Sequence, residues 1–240
     1  TGYVLQTWGL YLRGQATLGC PLGNLFELFQ FTAWSATTLF FVVGTTFRLS
    51  MLGYFTACLT AALTLVSLSL PAWDATRNTT LMGGRPWVSL HAGLALFSYG
   101  VFALLALTSA MFLLRDHSLK SKRLCRWCTF LPSIRELDHI GGRLLTVGLG
   151  LLLAALAVGG MYWRLADAAV GHTKLLATVA VGVAYTILWV VRRRGRLTGR
   201  QLAWWSIGLF LAALTTLVIV DRSRHPVPLA PAEGRSERRP

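Results

Sequence analysis

The sequence predicts an all-α protein, a polytopic membrane helix bundle of six full transmembrane helices plus a partial N-terminal one. Three observations predict it. Of 240 residues, 54% are hydrophobic and only 13% are charged. The apolar residues gather in six runs of 19 to 28 residues, each long enough for a helix to cross a hydrocarbon layer of roughly 30 Å. The basic residues, which give a net charge of +14, stand in short clusters between those runs. That clustering is a topology signal. A nucleic-acid role would need a continuous basic face and a recognition motif, and the chain shows neither.

Taken in order, residues 1–12 are too few to span and read as the end of a helix that begins upstream of Thr1. Arg13 to Asn24 is Gly-rich and closes on Cys20-Pro21-Leu22-Gly23-Asn24, a turn with Asn24 placed to cap the next helix. Leu25–Phe47 is the first full span, with Glu27 in its first turn, where the helix dipole favours a carboxylate. Leu52–Leu70 is the second, ended by Pro71, and residues 72–86 form a polar loop. Trp87–Leu114 is the longest run, 28 residues without a charged side chain. Arg115–Arg143 then reads as a polar segment with seven basic and three acidic residues. Leu144–Trp163, Thr173–Val191 and Leu202–Val220 complete the spans, with small residues such as Gly148, Gly150, Gly159 and Gly160 suited to close helix approach. Residues 1–220 thus form one membrane domain, and 221–240 a disordered polar tail rich in Pro, Arg and Glu.

Charge orients the bundle. Arg48 and the segments 115–143 and 192–200 hold thirteen Lys and Arg, against five at Arg13, Arg77, Arg85, Arg164 and Lys174. The richer set belongs inside. His91, His172, His225 and the Cys20–Asn24 turn then fall on the outer side, and His117 and His139 on the inner.

Few constellations carry chemistry. Cys125-Arg-Trp-Cys128 is a CxxC pair near His117 and His139, but the spacing fits no zinc finger, and the pair reads as two reduced thiols in a basic loop. Four cysteines make no disulfide framework in such a chain. Asn78-Thr79-Thr80 has the form of a glycosylation acceptor and is discounted, while Asp74 and Asp167 read as solvated loop charges. No GxSxG, HExxH or Walker loop is present, so the expectation is a protein that is not an enzyme. What remains is His91 and His172, each opening a helix at the outer edge amid Trp73, Trp87, Tyr162 and Trp163. Such imidazoles suit the iron of a flat apolar ring. A histidine satisfied by a backbone carbonyl or interfacial water is the alternative.

Four pieces in register carry a family resemblance. They are CPLGNLFELFQFTAW (20–34), WVSLHAGLALFSYG (87–100), ELDHIGGRLLTVGLGLLLAALAVGGMYW (136–163) and the Arg-rich segment after the next span. Together they resemble the CcsA/HemX-type cytochrome c assembly proteins, which handle haem in membranes. The resemblance implies haem as cofactor, with His91 as an axial ligand at the outer end of its helix. It departs from CcsA at the tryptophan-rich segment, reduced here to Tyr162-Trp163-Arg164 and then Gly171-His172-Thr173-Lys174. It departs again at Asp221-Arg-Ser-Arg-His225, where CcsA carries a second outer ligand. His172 thereby becomes the partner candidate for His91, with Trp87 and Trp163 as covering rings. The implied function is haem handling in cytochrome c maturation, with apocytochrome c and other assembly proteins as partners. The alternative is a HemX-like regulator or scaffold affecting tetrapyrrole synthesis. The expected location is a bacterial inner membrane or an equivalent energy-transducing one.

Overall fold

The computed structural model describes residues 1–16, 21–47, 50–74, 86–120, 132–166 and 172–222. Among them the regular structure is helical, without strands: α1 (Gly2–Ala16), α2 (Leu25–Phe47), α3 (Ser50–Ser69), a 3₁₀ turn (Pro71–Trp73), α4 (Pro86–Lys120), α5 (Ile134–Ala166), α6 (His172–Arg193) and α7 (Gly199–Arg222). Five of these, α2 to α6, contain described windows long and apolar enough to cross a membrane. The chain is a multi-pass integral membrane protein. α1 has 15 described residues, Gly2–Ala16, and is not among the five. α7, the sixth expected span, has 24 residues, and the side chains of its last six lie outside the described residues.

α4 is the core helix. In its membrane window 78% of residues are buried, against 22% for α3 and for α6. It packs on α5, α7 and α2, and it is apolar on every side, as a helix with neighbours all round should be. Its closest partner is α5, which presents a seam at alternating four- and three-residue steps: Gly141, Leu145, Gly148, Leu152, Ala155, Gly159. Leu145, Leu152 and Ala155 are buried, and the glycines admit bulk from α4. A Cβ on Gly148 would lie 2.6 Å from the Phe102 ring. Gly150 and Gly160 face open space, so of the four glycines expected to bring helices together only Gly148 and Gly159 do so. A further close approach is at Gly100, where a Cβ would overlap Ser35 Oγ of α2. Across the core, Phe102 stacks on Tyr185 of α6 at 3.6 Å between centroids.

Among the described residues, several buried hydroxyls inside the bundle are satisfied locally, whereas the Tyr185 hydroxyl and Ser206 Oγ are buried without a hydrogen-bond partner. Thr32, Thr56 and Thr108 each donate to the carbonyl four residues back at 2.8 Å, which hides a hydroxyl where water is absent.

The helix ends correct the expected loop boundaries. The polar segment 115–143 is in part helical: α4 continues to Lys120, and α5 begins at Ile134. At 35 residues α4 is about 52 Å long, so it outruns the hydrocarbon layer and carries its Asp116–Lys120 pair (2.7 Å) beyond it. Ser133 caps α5, accepting the Glu136 amide at 3.2 Å. Thr198 and Gln201 cap α7 reciprocally, at 3.1 and 3.4 Å. α6 closes on Gly195 at φ +68°, with Gly195 N donating to Arg192 O and Arg196 N to Val191 O, a Schellman motif. α7 reaches Arg222, just past the expected domain edge, and 223–240 lie outside the described residues.

Candidate functional site

The contacts between helices fix which ends meet. α4 and α5 run antiparallel, since His91 meets Ala155 and Phe102 meets Gly148. α5 and α6 do too, since Trp189 Nε1 donates to Thr146 at 3.1 Å and Arg192 pairs with Asp138. The starts of α2, α4 and α6 and the ends of α3, α5 and α7 therefore share one end of the bundle.

His91 stands there, half-buried, one turn after Trp87 on the same face of α4. Its Nδ1 is 2.7 Å from the carbonyl oxygen of Ala155. A carbonyl can only accept, so Nδ1 carries the proton, and in the neutral ring Nε2 keeps its lone pair. The carbonyl partner anticipated for a purely structural histidine is thus present, and it occupies Nδ1 and not Nε2. Trp87 is 59% exposed, as suits a ring at a membrane edge.

The same end of the bundle carries a charged cluster that the sequence pattern does not reveal. Glu27 is fully buried, accepting from Gly23 N at 2.6 Å and from Arg13 Nε at 2.7 Å. Arg13 also pairs with Asp74, and Asn24 Nδ2 donates to the same Asp74 oxygen at 2.8 Å. Asn24 Oδ1 accepts the Glu27 amide at 2.9 Å, so the expected cap of α2 is present. Burial opposes the Arg13 charge, but hydrogen bonds to Glu27 and Asp74 outweigh it and raise the Arg13 pKa. Asp74 is therefore an ion-pair partner and not a free solvated charge. Arg13 lies 5.0 Å above the Phe26 ring, and Trp73 lies 5.0 Å from Phe29, fastening the 3₁₀ turn to α2.

The other expected site residues are placed less fully. Trp163 sits in the last turns of α5 and His172 opens α6, both at the His91 end, but their side chains lie outside the described residues. So do Cys125, Cys128, Asn78, Asp167 and His225. His117 and His139 are exposed at the opposite end. Among the described residues no three His, Cys, Asp or Glu side chains gather to hold a metal ion.

A family model described as cytochrome C assembly protein matches residues 22–221. The chain belongs to the cytochrome c assembly protein family. The match takes in the α2 cap, the Trp87–His91 turn and the α4–α5 seam. Among relatives, the chain is 26% identical to Protein HemX of Brevibacillus brevis over 220 residues, covering 89% of this chain and 80% of that one. It is 24% identical to Protein HemX of Bacillus subtilis (strain 168) over 221 residues, covering 88% and 78%. An uncharacterized 28.8 kDa protein of Azospirillum brasilense is 30% identical over 125 residues, half of this chain.

Proposed function

We propose that this cytochrome c assembly family member handles haem for cytochrome c maturation, binding or passing it at the outer face without covalent chemistry of its own. The carrying observation is the 2.7 Å contact from His91 Nδ1 to Ala155 O. A backbone acceptor on one imidazole nitrogen is the usual support of a metal-ligating histidine, because it selects the tautomer whose other nitrogen binds. The donor set thus fits haem iron on this side: His91 Nε2 would be the axial ligand, with Trp87 at the rim. His172 is the second ligand in this reading and Trp163 a second covering ring, both carried by helices that meet at this end. Bound haem would supply the iron that these nitrogens ligate, and apocytochrome c with its other assembly proteins would be the recipient.

The regulator or scaffold that the resemblance also implies draws support from a different observation. Tyr162-Trp163-Arg164 stands where CcsA has its longer tryptophan-rich segment.

The visible spectrum of purified protein separates the two readings. The first expects a low-spin haem that is lost in His91→Ala and partly restored by added imidazole. Folding stability should change by about 1 kcal/mol, the worth of one hydrogen bond. His91→Ala protein with the parent's haem content and spectrum would overturn haem ligation here and leave the regulatory reading in place.

A further inference from the structure

His91 is held by α5, and the means is a missing side chain. Along the α4–α5 seam, Gly141 and Gly148 alternate with Leu145 and Leu152, and the seam ends in two small layers, Ala155 and Gly159. Each of the three glycines meets an α4 side chain. At Gly148 that side chain is Phe102. At Gly159, the last seam layer, it is the imidazole of His91. A Cβ built on Gly159 would lie 2.7 Å from His91 Nδ1 and 2.8 Å from Cε1. Both atoms belong to a rigid ring on a short stem. Helical Cβ atoms tilt toward the N-terminus, so a methyl on Gly159 would cover the turn below, which contains Ala155. It would stand where the ring must lie for Nδ1 to reach the Ala155 carbonyl.

We infer that Gly159 is a positioning residue for His91: its lack of a side chain seats the imidazole on Ala155 O, fixes the Nδ1–H tautomer and presents Nε2 as the ligand nitrogen. The preference is otherwise unusual, since a free histidine side chain in water favours the proton on Nε2. Ala155 can serve two donors, because a carbonyl has two lone pairs, so the helix ladder need not break to hold the ring. Gly160, the next residue, has open space where its Cβ would go, and it supplies the control. What the tautomer means for iron rests on the proposed haem ligation, but the tautomer itself does not.

The experiment uses full-length protein in lipid nanodiscs, labelled with ¹⁵N-histidine and prepared free of haem. The ring nitrogens of His91, assigned by loss in His91→Gln, should show the Nδ1–H tautomer in the parent and in Gly160→Ala. In Gly159→Ala that signature should be lost. Haem titration of the same three proteins should give matching low-spin spectra for the parent and Gly160→Ala, and a reduced one for Gly159→Ala. A second variant covers the case in which Gly159→Ala does not fold. In His91→Gly, Gly159 remains, and added imidazole can both ligate and donate to Ala155 O, whereas 1-methylimidazole can only ligate. Imidazole should restore the haem spectrum at about fivefold lower concentration, the effect of one net hydrogen bond. Equal potency of the two compounds would overturn the inference. So would an Nε2–H tautomer in the parent, or a folded Gly159→Ala protein with the parent's tautomer. A parent with the Nδ1–H tautomer that takes up no haem would uphold the socket and overturn the haem reading.

Discussion

The two ends of the bundle handle charge in opposite ways. At the His91 end the charges are drawn inward. Glu27 is buried, and Arg13 bridges it to Asp74, which lies 61 residues after Arg13 in sequence. At the Arg192 end most of the arginines stand outward. Arg192 pairs with Asp138 at a mostly buried site, Arg193 lies over Trp189 at 5.1 Å, and Arg193, Arg194, Arg196 and Arg200 are exposed. Charge at the first end ties α1, α2 and the 3₁₀ turn together. At the second end Arg192 joins α6 to α5, while the exposed arginines around it contribute little to packing. Arginine therefore joins elements at Arg13 and Arg192 and stands exposed at Arg193, Arg194, Arg196 and Arg200.

The contrast can be broken most sharply at Glu27. Glu27→Ala removes the buried partner of Arg13 and an acceptor of Gly23 N, and should destabilise the protein by about 3 kcal/mol. Thermal unfolding in detergent reads the loss, and a melting point equal to the parent's would show that the cluster is not structural. Arg192→Ala tests the other end. With both partners partly exposed, the expected loss is about 1 kcal/mol in the same assay. A loss as large as that of Glu27→Ala would erase the distinction between the ends. The smallest stability effect belongs to the combined change of Arg193, Arg194 and Arg196 to Gln, expected within about 0.5 kcal/mol of the parent. Its effect should appear in orientation instead. In a cysteine-free background, a cysteine at Trp87 should label from outside and one at Lys120 should not, and the triple change should make both label partially. Unchanged labelling would mean that these arginines do not set topology.

Much of the architecture was legible because lipid demands long apolar runs, and such runs can be counted. The boundaries were less so. Asp116, Lys120 and Arg135 flank the apolar runs in the sequence, but a helix need not stop there. Ser133-x-x-Glu136 and Thr198-x-x-Gln201 were the available start signals for α5 and α7, and Asn24-x-x-Glu27 for α2. The glycines could also have been sorted by angle. Gly148 and Gly159 lie eleven residues apart, close to three full turns, whereas Gly150 and Gly160 fall on other faces. At the site, His91 was visible as an ionisable group in an apolar run. Its partner was not, since a backbone carbonyl leaves no mark in sequence and Ala155 looks like any other alanine. Nor was Asp74, whose pairing with Arg13 depends on tertiary approach.

Asn24 occupies both sides of one structural joint. Its Oδ1 holds the first turn of α2 through the Glu27 amide, and its Nδ2 holds Asp74 at the close of the Pro71–Trp73 turn. The same amide plane serves both bonds, so rotating it to release one disturbs the other. Fraying of the α2 start and lifting of the 3₁₀ turn are therefore coupled, and the two segments form a single opening unit.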